Sequence, residues 1–100
     1  MTIWKCPIPI EDHFTLELPH NARILTVQIQ FEQAYIWVLV DPAVPRVVYH
    51  FRLVATGEDF AEAAEYIGTF QQWFFASGAR APDLAPRPDL RTWHLFRTIS

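Results

Sequence analysis

The sequence predicts an all-β or β-rich fold, a small antiparallel sandwich or open barrel of about six or seven strands with one short helix. Apolar and polar residues alternate with a period of two in several segments, as in strands buried on one face. Hydrophobic residues make up 51% of the 100 residues and aromatic residues 15%, which is enough to form a core. Turn signals such as Asp41-Pro42 separate the segments. A split α+β arrangement is the main alternative.

The strands are expected in segments where β-branched and aromatic residues alternate with polar ones. The clearest is 24–31, in which Leu25, Val27 and Ile29 alternate with threonine and glutamine. In chain order, the predicted strands are residues 3–7, 14–18, 24–31, 34–40, 47–56, 66–75 and 92–98. The strands 24–31, 34–40 and 47–56 follow one another closely, which predicts an antiparallel meander.

A tight hairpin is expected between the strands 24–31 and 34–40, with Glu32 and Gln33 as its two loop residues. This register would place one apolar set on the core face and a polar and aromatic set on the other. The core set pairs Phe31 with Ala34, Ile29 with Ile36, Val27 with Val38 and Leu25 with Val40. The other set pairs Gln28 with Trp37 and Gln30 with Tyr35.

The helix is predicted over 59–65, because Thr56 can cap its start and Asp59 follows three residues later. In a helix, Glu58, Glu62 and Glu65 would lie along one side. A proline-rich loop is predicted at 76–91, so that residues 1–100 form one β-rich domain with this loop inserted.

Charge and cysteine content exclude several classes of protein. The formal net charge is −3, unlike the basic surface of a nucleic-acid-binding protein, so no direct nucleic-acid partner is expected. No apolar run is long enough to cross a membrane, and the N-terminus lacks the pattern of a secretory signal. The expected location is the cytoplasm of a bacterial host cell, with no membrane partner. Cys6 is the single cysteine, which excludes an internal disulfide.

Motifs for catalysis, metals and cofactors are missing from the sequence. The four histidines have no zinc-binding spacing, and the three glycines form no phosphate-binding loop. The nearest local cluster is Glu11-Asp12-His13, which is typical of a solvated turn. The sequence therefore predicts no catalytic residue, no metal and no cofactor, and a protein that is not an enzyme.

A protein-binding surface is the functional feature that the sequence favours. Aromatic and arginine side chains are enriched at interface hot spots, and an acidic patch can pair with a basic partner. The competing interpretation is that these aromatic residues pack in the core or in a homodimer. The candidate residues are Gln28, Gln30, Tyr35, Trp37, Arg52, Glu58, Asp59, Glu62, Glu65, Trp73 and Phe74.

Short motifs spread along most of the chain resemble a known family. They include Ile3-Trp4-Lys5 with Pro7, Leu16-Glu17-Leu18-Pro19, Ala22-Arg23-Ile24-Leu25, the run 37–42, Thr56-Gly57, the run 66–71, and Trp93-His94-Leu95-Phe96. The family consists of small bacteriophage and prophage proteins that carry a domain of unknown function. This sequence departs from the family pattern by a longer insertion at 72–91. The resemblance implies a phage or mobile-element source and transfers no functional residue.

The expected function is that of a non-enzymatic phage or prophage accessory protein that binds a host or phage protein. Stoichiometric inhibition of a host defence complex, of the anti-CRISPR type, is the more specific form of this hypothesis, and it depends on analogy with other small phage proteins. The alternative is a virion structural or assembly protein that self-associates.

Overall fold

The chain forms two antiparallel β-sheets, which a computed structural model describes over residues 1–75 and 88–98. Within these ranges there are seven strands and no helix. The strands are β1 (Thr2–Pro7), β2 (His13–Pro19), β3 (Arg23–Gln30), β4 (Gln33–Val40), β5 (Arg46–Ala55), β6 (Ala64–Phe75) and β7 (Pro88–Thr98). The two sheets are open and do not close into a barrel. The sequence prediction of an antiparallel sandwich is therefore confirmed.

The smaller sheet has the strand order β1-β4-β3 and the larger has the order β2-β5-β7-β6. β4 is the central strand of the smaller sheet, and its alternate residues Ala34, Ile36, Val38 and Val40 are almost completely buried. β5 provides the matching face of the larger sheet. Its residues Tyr49, Phe51 and Leu53 point to the same core, where Phe51 stacks on Phe14 with ring centroids 5.0 Å apart. The period of two in each strand thus buries one face of each sheet against the other.

The two sheets approach closely where β3 faces β6. A Cβ atom on Gly68 would lie 2.8 Å from Cγ1 of Val27, closer than side chains pack. Gly68 also follows an irregularity in the pairing of β6 with β7. A residue without a side chain is therefore required at this contact.

The predicted meander is wrong, because β5 pairs with β2 and β7 instead of β4. The connection between Val40 and Arg46 contains two prolines and carries the chain from the smaller sheet to the larger one. In this position β5 buries its Tyr49-Phe51-Leu53 face opposite β4. Alternation alone indicates that a strand has a buried face, but it does not specify the neighbouring strand.

The β3–β4 hairpin is tight, as predicted, but its loop residues are Phe31 and Glu32. Both have positive φ angles, 50° and 67°, as a two-residue turn of type I′ requires. Ile29 therefore lies opposite Ala34, and Val27 opposite Ile36. The register differs by two residues from the predicted one, so the inward and outward faces near the turn are unchanged.

Two residues expected on the core face of this hairpin lie outside the core. Phe31 is 100% exposed at the turn. Leu25 is 42% exposed, because the register shifts between Ile24 and Thr26 and Ile24 takes the place opposite Val38. The bulge turns one side chain away from the core and lets the strand continue with its alternation restored.

The predicted helix at 59–65 is wrong. Residues 56–63 form an irregular connection, and Ala64 already begins β6. Contacts with the larger sheet explain the difference, since Phe60 packs on Phe96 and Glu62 pairs with Arg52. These tertiary contacts override a weak local helix signal.

The predicted proline-rich loop lies largely outside the described residues, at 76–87. Its last part, 88–91, belongs to β7, which extends four residues further toward the N-terminus than the predicted strand 92–98. Among the described strands, residues 88–91 pair only with β6, because β5 pairs with β7 from Trp93 onward and Thr92 accepts a hydrogen bond from the Thr56 amide. This end of the β6–β7 hairpin is therefore a two-stranded ribbon.

Tyr49 joins the β2–β3 connection to the core through hydrogen bonds. Its hydroxyl accepts a hydrogen bond from the Ala22 amide at 2.9 Å and donates one to the Pro19 carbonyl at 3.1 Å. The Arg97 guanidinium covers the ring at 4.3 Å from its centroid. These contacts satisfy a buried polar group and fix the end of the sandwich opposite the β3–β4 turn.

Candidate protein-binding faces

The outer face of the smaller sheet carries an uncovered group of large side chains. Tyr35, Trp37 and Leu39 alternate along β4 and are half-buried, and Ile3 lies beside Leu39 on β1 and is 56% exposed. The rings of Tyr35 and Trp37 are 6.2 Å apart and tilted. We call Ile3, Tyr35, Trp37 and Leu39 the bare face.

Polar and charged side chains border the bare face. The Lys5 ammonium lies 4.2 Å from the Tyr35 ring centroid and 5.9 Å from that of Trp37. Gln28 lies opposite Tyr35, and Gln30 lies opposite Gln33 next to the turn. The structure thus brings together Gln28, Gln30, Tyr35 and Trp37, although their pairing differs from the predicted one. Aromatic side chains surrounded by polar groups are typical of a surface that can bind another protein.

The outer face of the larger sheet is different, because the 56–63 connection lies over it. Phe60 packs on Phe96 with ring centroids 4.6 Å apart, and Tyr66 meets the edge of Phe96 at 5.6 Å. Arg52 lies opposite Phe96 in the β5–β7 pairing, and its guanidinium is 5.5 Å from the Phe60 ring centroid. We call Phe60, Phe96, Tyr66 and Arg52 the covered face, in which Tyr66 lies at the margin and is 56% exposed.

An ion pair holds the connection on the covered face. Arg52 Nη1 donates a hydrogen bond to Glu62 Oε1, and His13 Nε2 lies 3.6 Å from the same oxygen. The Arg52 side chain is 19% exposed and that of Glu62 is 42% exposed. Arg52 was predicted as a binding residue, but its contacts are with its own chain, which explains its position without a partner.

A chain of hydrogen-bonding groups joins β6, β7 and the start of the connection. His94 Nε2 lies 2.8 Å from Thr56 Oγ1, and His94 Nδ1 lies 2.9 Å from Thr69 Oγ1. Thr69 in turn contacts the Tyr66 hydroxyl at 2.5 Å. All of these contacts are exposed; the two made by His94 join β7 to neighbouring segments, and the Tyr66–Thr69 contact lies within β6.

The predicted acidic patch is dispersed in the structure. Glu58 accepts a hydrogen bond from the Ala55 amide, and Asp59 is exposed beside it. Glu62 pairs with Arg52, whereas Glu65 lies on β6 opposite Arg97. Because this segment does not form a helix, these carboxylates do not lie along one side of a helix.

The remaining predicted site residues, Trp73 and Phe74, lie on the ribbon part of β6. Their backbones pair with Leu90 and Asp89 of β7. Their side chains lie outside the described part of the structure.

Two surface features escaped the sequence-based prediction. One is the exposed Phe31 at the β3–β4 turn, which its alternation with Ile29 placed in the core. The other is a groove of about 300 Å³ between the edge strands β1 and β2, lined by Trp4, Lys5, Cys6, Leu16, Glu17, Leu18 and Arg46. No local pattern indicates this groove, because its two walls belong to different sheets.

Burial raises the pKa of the Cys6 thiol in this groove, and the positive charge of Arg46 partly lowers it again. The thiol is therefore the favoured form near neutral pH, which disfavours nucleophilic reaction. An open depression of about 620 Å³ lies beside His13, Glu11, His50 and Glu62.

Among the described residues, no group of three or more histidine, cysteine, aspartate or glutamate side chains could hold a metal ion. Nor does that part of the chain contain a helix long and apolar enough to cross a membrane.

The fold and surfaces define an all-β sandwich with one bare and one covered outer face. The chain belongs to the family described as a domain of unknown function, DUF7352, whose model matches residues 1–76. The match contains β1 to β6, whereas β7, which lies between β5 and β6, is outside it. Neither the curated proteins nor the solved structures contain a match to this chain.

Proposed function

We propose that this protein is a non-enzymatic binding module that attaches to a folded protein partner through the bare face. The observation that carries this proposal is that Tyr35 and Trp37 contact each other and Lys5 on the outer face of the smaller sheet, whereas Phe96 of the larger sheet packs against Phe60 of the 56–63 connection. Tyrosine and tryptophan lose little conformational entropy on binding and contribute much contact area.

The position of the bare face supports a role in binding. It is the outer side of a paired sheet, so its side chains are held by a rigid backbone and little ordering is needed when a partner binds. Lys5 lies over the two rings, and Gln28 adds hydrogen-bonding groups at the border. Such a surface favours a partner with an apolar patch bordered by acidic or amide side chains.

The more specific proposal is that the chain is a phage or prophage accessory protein acting in the cytoplasm of a bacterial host, where it inhibits a host defence complex stoichiometrically, as anti-CRISPR proteins do. Its support is the resemblance in sequence described above. The test adds the purified protein to a reconstituted defence effector. Unchanged target binding and cleavage would reject the proposal for that effector.

The binding face itself can be tested by affinity capture from a lysate of the natural host, read by mass spectrometry. The wild-type chain is compared with Trp37→Ala/Gln28→Ala and with a control, Val48→Asn, which alters an exposed residue on the larger sheet. We expect one stoichiometric protein that is captured by wild type and control and is lost with the double variant. Capture that survives the double variant would contradict the role of the bare face.

A second candidate function is self-association, as in a virion structural or assembly protein. The observation that favours it is Phe31, a large apolar side chain that is 100% exposed at a turn. Recovery of the chain only in assemblies of itself, and its presence in purified particles, would favour this function over binding to a different protein.

A further inference from the structure

The β3–β4 turn presents an aromatic side chain that neither the core nor the turn requires. Phe31 is fully exposed, with φ at 50°, and Glu32 follows with φ at 67°. Turns of this type favour Asn-Gly, because positive φ angles are unfavourable for bulky side chains. A strained backbone at an exposed aromatic residue indicates a functional constraint on that residue.

The turn is held firmly at its base. Gln33 Nε2 donates hydrogen bonds to the carbonyl oxygens of Ile8 at 3.0 Å and Ala34 at 2.9 Å. The Ile8 amide donates to the same Ala34 oxygen at 3.0 Å. These bonds tie the first residues of β4 to the chain that follows β1, so Phe31 projects from a rigid support.

The groove between β1 and β2 has the size and chemistry to receive such a side chain. Trp4, Cys6, Leu16 and Leu18 give it an apolar lining, and its volume is about 300 Å³. A cavity of about 150 Å³ is large enough to hold benzene. The groove therefore has room for a phenyl ring together with part of the backbone that carries it.

The charges at the two sites are complementary. Lys5, Glu17 and Arg46 also line the groove, which gives its border an excess of one positive charge. The Arg46 guanidinium is 5.2 Å from the Trp4 ring centroid, at the apolar lining. Glu32 adjoins Phe31 at the turn, so one apolar and one acidic side chain would meet an apolar groove with a basic border.

We propose that Phe31 of one copy of this chain inserts into the β1–β2 groove of a second copy, with Glu32 beside Lys5 and Arg46. The turn and the groove are different surfaces of the molecule, so the contact is heterologous and a bound pair of copies leaves one turn and one groove free. Such contacts build rings or open chains instead of a closed dimer. This inference rests on the second proposed function and does not involve the bare face.

The first test is sedimentation velocity of the full chain over a range of concentrations. The average mass of the wild type should rise above 11.7 kDa as concentration increases, whereas Phe31→Asn should stay at that mass. Asparagine tolerates positive φ, so the melting temperature of this variant should rise by about 2–6 °C. The matched control Val48→Asn also removes an exposed apolar side chain and should assemble like the wild type.

A mixing experiment tests the heterologous geometry. Arg46→Glu keeps Phe31 and leaves Lys5 over the bare face, but it changes the charge at the groove from one positive to one negative, so this variant should also stay monomeric alone. An equal mixture with Phe31→Asn leaves one intact turn and one intact groove, and we expect a dimer with no larger species. If Arg46→Glu does not melt cooperatively, the comparison of wild type with Phe31→Asn decides the question.

Three results would overturn the inference: a wild type that stays monomeric up to about 1 mM, assemblies that persist in Phe31→Asn, or a mixture of folded variants that stays monomeric. Trp37→Ala separates this inference from the proposed role of the bare face. Assemblies that dissociate with Trp37→Ala and persist with Phe31→Asn would assign self-association to the bare face instead.

Discussion

The outer faces of the two sheets both carry aromatic residues, but only on the larger sheet does another described segment of the same chain pack against them. On the covered face, Phe60 and Tyr66 both contact Phe96, and the Arg52–Glu62 pair holds the 56–63 connection against the sheet. On the bare face, Tyr35 and Trp37 contact mainly each other and Lys5. An aromatic residue on a sheet surface therefore indicates a binding site only when no other segment of the chain packs on it.

The comparison predicts opposite consequences for removing an aromatic ring from each face. Phe96→Ala should lower the free energy of unfolding by about 2–3 kcal/mol, because it removes the ring on which Phe60 and Tyr66 pack. Trp37→Ala should lower it by about 1 kcal/mol or less, because, among the described residues, Trp37 has one aromatic ring contact, with Tyr35, whereas Phe96 has two. Urea denaturation with an unchanged slope measures both. Equal losses would show that the bare face is as important for stability as the covered one.

The ion pair on the covered face should have the next largest effect. Glu62→Gln leaves Arg52, which is 19% exposed, without its negative partner and should cost about 1 kcal/mol. Glu65→Gln is the matched control, because Glu65 is exposed on β6 and should change stability by less than about 0.5 kcal/mol. Thermal denaturation of both variants at one pH compares their stabilities. A similar loss in both would mean that overall charge, not the pair, is responsible.

Removing the hydroxyl of Thr69 tests the hydrogen bonds at the surface of the larger sheet. Thr69→Val removes the contacts with His94 and Tyr66 and should cost about 0.5 kcal/mol. Thr26→Val makes the same change at an exposed position on β3 of the smaller sheet. Chemical denaturation of both variants gives the difference between their free energies of unfolding. A greater loss in Thr26→Val would contradict a stabilising role for the contacts of Thr69 with His94 and Tyr66.

The smallest effect concerns Cys6, at the side of the sandwich between the two faces. Because burial raises the pKa of its thiol, alkylation by iodoacetamide at pH 8 should be slower than in the chain unfolded in urea, and should accelerate as the pH rises. Arg46→Ala should raise the pKa further and slow the reaction again. A folded chain that reacts as fast as the unfolded one would show that the groove is open to solvent at Cys6.

The strands could be predicted from the sequence because alternation is a local property. Alternation predicted a strand with one buried face in each of two segments, and the structure has both strands. The inward-facing residues are Val27 and Ile29 on β3, and Ile36 and Val38 on β4. The failures occurred where a distant contact decides. The 56–63 segment has a local helix signal, but Phe96 and Arg52, far along the chain or in another strand, hold it in an irregular conformation.

The candidate surfaces were predictable to different extents. Tyr35 and Trp37 share a face because they are two residues apart, which the sequence shows directly. Phe31 continued the apolar alternation of β3 and was expected in the core, yet the turn begins one residue earlier and exposes it completely. The β1–β2 groove could not be predicted, because its residues come together only when the two sheets pack.

By itself, the sequence determined the β-rich class, the approximate positions of seven strands and which side chains of each strand share a face. These properties follow from side-chain alternation and turn residues, which act within a few positions along the chain. Only the tertiary structure decided which strands are neighbours, which outer face is covered and where Phe31 and the groove lie. Those features depend on contacts between residues far apart in sequence, whose pairing is selected by the packing of the whole core.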